Sequence, residues 1–273
     1  MSDYKIAMVT GASRGIGKAI AMALAADGWE LILTCRNSLA ELRSYAAELT
    51  EQFTVPAHAY SCDMGSSAAV TDLFHRLEEC RLIPSLLVNN AGIAHIGLLQ
   101  DMTDAQWDEL LRTNLSSVFY TCRAIIPLLL RRGCPSYSNS CSAPAALSCA
   151  AASSPADPVN SPGRIINISS VWGIAGASCE AAYSATKGGV NAFTKALAKE
   201  LAPSGIPVNA LAFGCIDTRM NDHLAPEEKS ELAEEIPAGR FAHPKEAAAA
   251  VLQLVHAPSY LTGQVIAMDG GWL

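Results

Sequence analysis

The sequence has no run of lysines and arginines and carries little charge of either sign. Its 273 residues include 19 Lys plus Arg against 26 Asp plus Glu, which gives a net charge of −7, and only 16% of all residues are charged. Proteins that bind nucleic acid or anionic lipid through charge present clustered basic residues. The composition therefore argues against nucleic acid and membrane surfaces as partners.

Long apolar runs are missing as well. The most apolar stretch, residues 124–130, contains Pro127 and falls far short of the roughly 20 residues that span a bilayer. The first residues lead almost directly into the apolar segment 6–9, without the basic region and long apolar core of a secretory signal. We therefore expect a cytoplasmic protein with no membrane span.

The cysteines lack the close pairing of metal sites. Nine Cys and six His are scattered along the chain. Cys134, Cys141 and Cys149 are seven and eight residues apart, unlike the ligand pairs of zinc sites. We expect most cysteines to be reduced and buried as small apolar residues, and we expect no metal site.

What the sequence does contain is a regular alternation of two patterns. Short apolar or β-branched runs, typical of buried strands, alternate with longer segments of helical period. This order indicates βαβ units, so the sequence predicts an α/β fold: a single Rossmann domain over residues 1–273, with a doubly wound seven-stranded parallel sheet and helices on both faces. Predicted strands are 4–10, 30–35, 55–61, 86–89, 164–169, 207–212 and 264–268; predicted helices are 15–27, 39–52, 66–81, 104–131, 181–201 and 245–256.

Residues 133–163 interrupt the alternation. This segment contains eight Ser, seven Ala and five Pro, and Asp157 is its only charged residue. Such a composition has too few bulky apolar side chains for a core and too much proline for a continuous helix. It predicts a low-complexity surface insertion at the sheet edge opposite the cofactor-binding mouth.

A glycine-rich segment follows the first predicted strand and opens the first helix. Gly11, Gly15 and Gly17 form the pattern G-x-x-x-G-x-G. Glycines at this junction allow a tight turn and let the amides of a helix N-terminus approach a pyrophosphate. An ordinary strand-to-helix turn is the alternative interpretation. The position of the pattern favours dinucleotide binding.

The end of the second predicted strand bears on which dinucleotide binds. An acid at this place accepts a hydrogen bond from the ribose 2′-hydroxyl of NAD, whereas an arginine neutralises the 2′-phosphate of NADP. Here no acid is present, and Arg36 follows the strand. Arg14 and Arg36 together predict a two-guanidinium clamp for the phosphate, and thus NADP(H). The alternative is that both are solvated surface residues.

A second group of residues predicts proton transfer. Tyr183 and Lys187 are spaced i and i+4, so they share one helix face. An ammonium group beside a phenol lowers the phenol's pKa and makes it a usable proton donor and acceptor. Ser170, after the fifth predicted strand, is placed to hydrogen-bond a substrate carbonyl. A Tyr and Lys at this spacing also occur as a surface pair, so the prediction depends on the nucleotide loop.

Taken together, these motifs resemble the short-chain dehydrogenase/reductase family. Within that family the chain most resembles 3-oxoacyl-[acyl-carrier-protein] reductases. This implies NADPH-dependent reduction of a ketone to a secondary alcohol. The most similar relatives imply a 3-oxoacyl thioester as the ketone. A sugar, polyol or steroid alcohol dehydrogenase and a non-catalytic NADP-binding sensor or scaffold stay open as alternatives. The family motifs are residues 10–17, 89–92, Asn114, Ser170, Tyr183 and Lys187; the subfamily resemblance lies in 114–119, 236–240 and 269–271.

The resemblance also implies roles for single residues. Tyr183 would be the general acid, Ser170 would polarise the carbonyl, Lys187 would hold the nicotinamide ribose, and Asn114 would anchor a water in a proton relay. A substrate lid would cover about residues 217–237. The implied cofactor contacts are Gly11, Ser13, Arg14, Gly15, Ile16 and Gly17 at the phosphates, Arg36 at the 2′-phosphate, Asp63 and Met64 at adenine, Asn90, Ala91 and Gly92 beside the ribose, and Gly214, Ile216 and Thr218 near the nicotinamide.

Two departures from the family pattern concern the substrate and its partners. Phe213 stands where family members usually have Pro, and it either narrows the pocket or packs inward. The 133–163 insertion interrupts a region that relatives use to dock an acidic acyl-carrier protein. Arg131, Arg132 and Lys199 remain as candidate docking residues. The family also implies a homotetramer.

Overall fold

Seven parallel strands form one sheet in the computed structural model, which describes residues 5–133, 161–222 and 224–273. The strand order is β3-β2-β1-β4-β5-β6-β7, so the order reverses between β1 and β4 and creates a crevice at the carboxyl ends of the strands. The predicted fold class is confirmed. The strands are β1 (Ile6–Val9), β2 (Glu30–Cys35), β3 (Ala57–Ser61), β4 (Leu86–Asn89), β5 (Arg164–Ser170), β6 (Val208–Phe213) and β7 (Val265–Met268).

Helices cover both faces of the sheet. Alternate residues of β1 point to opposite faces: Ala7 and Val9 belong to one apolar core, and Ile6 and Met8 belong to the other. The first core lies under α1, α2 and α9, and the second lies under α3, α5 and α7. The helices are α1 (Gly15–Ala26), α2 (Leu39–Phe53), α3 (Ser67–Glu79), α4 (Asp104–Leu110), α5 (Ser117–Gly133), α6 (Trp172–Ala175), α7 (Ala181–Leu201), α8 (Pro226–Glu235) and α9 (Pro244–His256).

The long helix predicted at 104–131 is interrupted. Between α4 and α5, residues Leu111–Ser116 form a π-helix, in which one extra residue widens the turn. Pro127 lies inside α5 without ending it. The interruption places Asn114 in the widened turn, and such turns are frequently found at functional sites.

By length and composition, the stretch Asp104–Gly133 is apolar enough to cross a membrane. Half of its most apolar window, however, is buried within the fold. Cys122, Ile125 and Leu129 of α5 are among the residues that pack against the sheet. We therefore assign this stretch to the core. The predicted insertion, apart from its ends, lies outside the described residues.

Candidate active site

The glycine-rich loop between β1 and α1 has a shape that only glycine permits at two positions. Gly11 has a φ of +66°, and a Cβ there would lie 2.9 Å from Ala91 Cα. A Cβ on Gly17 would lie 2.4 Å from the carbonyl oxygen of Gly11. The loop and the first turn of α1 are therefore packed directly on each other and on the segment after β4.

Thr10 and Asn90 hold this loop in place. Thr10 Oγ1 accepts hydrogen bonds from the backbone N–H of Asn90 (2.9 Å) and of Ala91 (3.0 Å). Asn90 Nδ2 donates to the carbonyl oxygens of Thr10 (2.9 Å) and Gly11 (3.1 Å). The amide of Asn90, predicted beside the ribose, is thus engaged by the loop backbone. Thr10 opens the sequence motif but was not predicted as a site residue.

The N-terminus of α1 fits an anionic ligand. Arg14 occupies the N-cap position without a side-chain capping bond, and the first turn contains no acidic residue. The first amide donors of a helix need partners, and a diphosphate supplies them. A Cβ on Gly15 would lie 3.5 Å from Thr218 Cγ2, so the loop and the predicted nicotinamide side face each other. These features fit a dinucleotide.

Two ion pairs lie at the predicted adenosine side. Arg36 Nη1 is 3.2 Å from Glu109 Oε1, so Arg36 is paired with this acid, while Arg14 is exposed at the N-cap of α1. Asp63 Oδ2 accepts from Arg112 Nη1 (2.7 Å), and Asp63 Oδ1 accepts from Gly65 N (3.0 Å). Burial alone would raise the pKa of Asp63, but these bonds outweigh it and lower that pKa.

The side chain of Met64 does not face the predicted adenine contact. It is buried in the second core, where Thr34 Oγ1 donates to its sulfur at 3.6 Å. Only its backbone is left to contact a base.

The partners in the two ion pairs, Glu109 and Arg112, were not predicted. They lie 73 and 49 residues from Arg36 and Asp63, respectively, and no local pattern marks them.

Ser170 and Tyr183 meet at the carboxyl edge of the sheet. Ser170 is the last residue of β5, Tyr183 lies in the first turn of α7, and the Ser170 side chain is close enough to Tyr183 to affect its protonation. The N–H of Trp172 donates to Ser170 Oγ at 3.2 Å. Tyr183 is 9% exposed and packs in an apolar cluster with Leu110 and Ala182. The two predicted catalytic hydroxyls are therefore adjacent.

Burial governs the protonation of Tyr183 and Lys187. It raises the pKa of Tyr183 to about 12, with the Ser170 side chain acting in the opposite direction. It lowers the pKa of Lys187 to about 8. The expectation of a lowered tyrosine pKa is wrong. Removal from water disfavours both charged forms, and Lys187 Nζ donates instead to Ile168 O at 2.9 Å.

Asn114 is fixed by three hydrogen bonds beside Lys187. Its Oδ1 accepts from Ile93 N (2.8 Å), and its Nδ2 donates to Ile93 O (2.9 Å) and to Thr186 Oγ1 (3.2 Å). Gly92 lies between the two side chains, since a Cβ there would be 3.3 Å from Asn114 Oδ1 and 3.6 Å from Lys187 Nζ. The structure thus brings Asn114, Gly92 and Lys187 together.

The segment after β6 forms the other wall of the crevice. A Cβ on Gly214 would lie 2.9 Å from Asp269 Cα, Ile216 is buried, and Thr218 Oγ1 accepts from Met220 N. Phe213 is 3% exposed and belongs to the first core, so it packs inward. The predicted lid contains α8, none of whose residues is buried.

An aromatic pair also lies at this wall. The rings of Trp172 and Trp272 meet edge to face with centroids 4.8 Å apart. Asp269 holds the C-terminal turn, since its carboxylate accepts from Gly271 N and Leu273 N. The contact joins the end of the chain to the residue that packs beside Tyr183, and it was not predicted.

The three candidate docking residues for a carrier protein lie away from the crevice. Arg131 and Arg132 are at the C-terminal end of α5 and Lys199 is near that of α7; both helices run back from the carboxyl edge of the sheet. Arg131 is paired with Glu78, and Arg132 Nη1 donates to Ile83 O. The structure thus places these three residues at the helix ends remote from the carboxyl edge of the sheet, and a carrier contact there stays a prediction. Within the described ranges, no three His, Cys, Asp or Glu side chains form a cluster suited to a metal ion.

Comparison with known proteins assigns the family. Residues 5–135 match the model described as short chain dehydrogenase, and residues 136–273 match the model described as enoyl-(acyl carrier protein) reductase. The chain is 38% identical to the uncharacterized oxidoreductase YmfI of Bacillus subtilis, over 98% of both chains. It is 35% identical to the 3-oxoacyl-[acyl-carrier-protein] reductase FabG of Aquifex aeolicus, over 98% of this chain and 96% of that protein.

A solved structure agrees with this assignment. A crystal structure from Agrobacterium tumefaciens, described as a candidate gluconate dehydrogenase, has a TM-score of 0.83 and 29% identity. The match covers 98% of this chain and 95% of the Agrobacterium chain. Family models and relatives therefore agree over both halves of the chain. The chain belongs to the short-chain dehydrogenase/reductase family and is an oxidoreductase.

Proposed function

We propose that this enzyme uses NADPH to reduce a ketone to a secondary alcohol, with 3-oxoacyl thioesters as its substrates. One observation supports this most strongly: Ser170, Tyr183, Lys187 and Asn114 converge in a buried group at the same sheet edge as the glycine-rich loop. Burying four polar side chains costs free energy, because each one needs a hydrogen-bond partner inside the protein. Such a cost is more readily explained by a function than by stability.

Members of this family work with a nicotinamide cofactor, and we propose NADP(H) here. The first turn of α1 would hold the diphosphate, Arg36 would pair with the 2′-phosphate, and Asp63 would lie at the adenine. When bound, the cofactor supplies the hydride that reduces the carbonyl carbon. The preference for NADP(H) is supported by the absence of an acid at the end of β2.

The protein's own groups would handle the proton and the developing charge. As charge builds on the substrate oxygen, the hydroxyls of Ser170 and Tyr183 donate hydrogen bonds to it, and Tyr183 transfers its proton. A phenol with a raised pKa stays protonated before the reaction, as a donor must. Lys187, beside Asn114, would then stabilise the phenolate and return the proton.

Exposed apolar side chains around the crevice favour an acyl substrate over a sugar or polyol. Ile96 and Leu98 follow β4, and Ile174 follows β5; each is at least half exposed. Gly97 N donates to Cys179 O at 2.8 Å, so these two loops are in contact. Exposed apolar groups in one area indicate a surface that covers an apolar ligand. A polyol would require hydrogen-bonding groups at the same positions.

The direct test is a substrate panel. NADPH and NADH oxidation would be measured with 3-oxoacyl-coenzyme A thioesters of four to ten carbons and with the carrier-bound four-carbon thioester, and NADP⁺ reduction would be measured with gluconate and polyols. We expect NADPH-dependent thioester reduction whose kcat/KM increases with chain length by up to about fourfold per methylene. Leu98→Ser should remove the gain for long chains and leave the four-carbon substrate unchanged. Turnover confined to gluconate or polyols would refute the proposed substrate.

Two further expectations belong to this proposal. A cytoplasmic enzyme with a homotetrameric assembly is what the family implies, and light scattering after size-exclusion chromatography would measure the assembly. A carrier contact at Arg131, Arg132 and Lys199 would give a higher rate with the carrier-bound thioester than with the coenzyme A thioester, and equal rates would argue against that contact.

A further inference from the structure

We propose that Glu109 determines how strongly the enzyme prefers NADPH over NADH, because it brings to Arg36 the acid that is missing at the end of β2. The inference rests on the proposed function, in which Arg36 receives the 2′-phosphate. The inference adds Glu109, which comes from a different element than Arg36 and has the opposite effect on cofactor preference. The site would then contain both groups that discriminate between the two cofactors.

The geometry places Glu109 at the adenosine side. Glu109 lies in the last turn of α4, and its Oε1 is 3.2 Å from Arg36 Nη1. Three residues later, Arg112 pairs with Asp63, the residue expected at the adenine. Arg36 is also close enough to Asp63 to contribute to lowering its pKa. The α4 segment therefore contacts the site at two neighbouring points.

A carboxylate next to Arg36 has opposite effects on the two cofactors. A 2′-phosphate that pairs with Arg36 would approach a like charge, and Arg36 would have to leave its partner. A ribose 2′-hydroxyl is a donor that a carboxylate accepts, as acids do in NAD-binding sites of this fold. Glu109 should therefore weaken NADPH binding and strengthen NADH binding.

A purely structural role for Glu109 makes the opposite prediction. If the acid serves only to hold Arg36 in position for the phosphate, removing it should weaken NADPH binding. The direction of the change in the NADPH dissociation constant therefore separates the two roles. Both side chains are partly exposed, at 43% and 45%, so neither variant should threaten folding.

The experiment is a titration of the cofactor-free enzyme with NADPH and with NADH, followed by nucleotide fluorescence. The proteins are wild type, Glu109→Gln, Arg36→Ala and the double variant. Asp108→Asn is the matched control, because it removes the same charge from the adjacent, exposed position of α4. Glu109→Gln should tighten NADPH binding by about three- to fivefold, and Asp108→Asn should change it by less than about 1.5-fold.

Three results would support the proposal together. NADPH binds more tightly to Glu109→Gln, NADH binds more weakly, and the gain for NADPH is smaller in the Arg36→Ala background, where only the repulsion between carboxylate and phosphate remains. Unchanged or weaker NADPH binding in Glu109→Gln would overturn it, as would an equal effect of Asp108→Asn. If Arg36→Ala leaves NADPH binding unchanged, the 2′-phosphate site itself is misassigned, and that result identifies a failure of the proposed function instead.

Discussion

The two halves of the crevice differ in how their polar groups are held. On the catalytic side, Ser170, Lys187 and Asn114 are buried, and each makes hydrogen bonds to nearby groups of the fold. On the adenosine side, Arg36 and Asp63 remain partly exposed and are paired with side chains from α4 and the π-helix. The proposed function therefore places the chemistry on groups that water cannot screen, and the cofactor selection on groups that it can.

This difference implies that substitutions on the two sides should change activity and stability by different amounts. A buried group that loses its partner is left without hydrogen bonds in a medium of low dielectric constant, so substitutions there are severe. Exposed ion pairs contribute little each, and changing one adjusts affinity without endangering the fold. Four substitutions or conditions test this contrast, beginning with the largest expected effect.

Replacing Tyr183 with Phe removes the proposed proton donor and keeps the ring. We expect turnover to fall by about 10²- to 10⁴-fold, since that is what a positioned general acid contributes. The NADPH dissociation constant should stay within about twofold, because the packing around the ring is unchanged. Steady-state kinetics with acetoacetyl-coenzyme A and a parallel NADPH titration measure both. A variant with near-normal turnover would refute the catalytic assignment.

Lys187 should make the stability of the cofactor-free protein depend on pH. Its pKa is about 8 when folded and about 10.4 in an unfolded chain. Between these values the unfolded state binds more protons, so the free energy of unfolding should increase with pH. Relative to Lys187→Met, wild type should gain about 2 to 3 kcal/mol from pH 7.5 to pH 10.

Urea denaturation of both proteins at several pH values measures this gain. Taking the difference between them cancels groups that titrate equally in both proteins. Tyr183, with a folded pKa of about 12, affects the curve only above about pH 10. A difference that is flat or falls with pH would show that Lys187 is not desolvated as described.

Salt should act more strongly on the adenosine side than on the rest of the site. Raising the ionic strength from about 0.05 M to 0.5 M shortens the screening length severalfold, and we expect NADPH binding to weaken by about fivefold more than NADH binding. The extra effect should vanish in Arg36→Ala. Fluorescence titrations at both salt concentrations provide the comparison. Equal salt dependence for the two cofactors would contradict a phosphate contact at Arg36.

The smallest effect is expected from Arg112→Gln. Its ion pair with Asp63 is partly exposed, so we expect a loss of no more than about 1 kcal/mol in the free energy of unfolding. The pKa of Asp63 should increase, because the hydrogen bond that lowers it is lost. Urea denaturation and NMR titration of the Asp63 carboxyl test these points. A loss above about 3 kcal/mol would show that the adenosine side is as tightly coupled as the catalytic side.

Local sequence patterns predicted most of the fold. Strands covered on both faces need apolar side chains throughout, so they appear in the sequence as short apolar runs. The ends of each observed strand lie within about two residues of the predicted ends. The π-helix at Leu111–Ser116 was missed, since its apolar spacing is close to that of an α-helix. The inward packing of Phe213 was left open because neighbouring residues do not decide it.

The residues of the candidate site could be predicted from the sequence, whereas several of their contacts could not. The family motifs named the residues that meet around Tyr183. The partners of Arg36 and Asp63 lie far away in sequence, and they depend on where α4 packs. The pKa of Tyr183 was predicted in the wrong direction because Lys187 was considered as a charge, whereas its own burial disfavours that charge. Solvent exposure of a side chain is a property of the whole fold.

A double-mutant cycle tests the separation of the two halves most directly. It requires kcat/KM for NADPH, with acetoacetyl-coenzyme A saturating, for wild type, Tyr183→Phe, Arg36→Ala and the double variant. If catalysis and 2′-phosphate binding are separate, the two single losses should multiply in the double variant to within about twofold. A double variant no worse than Tyr183→Phe alone, or a departure from the product beyond about tenfold, would contradict that separation.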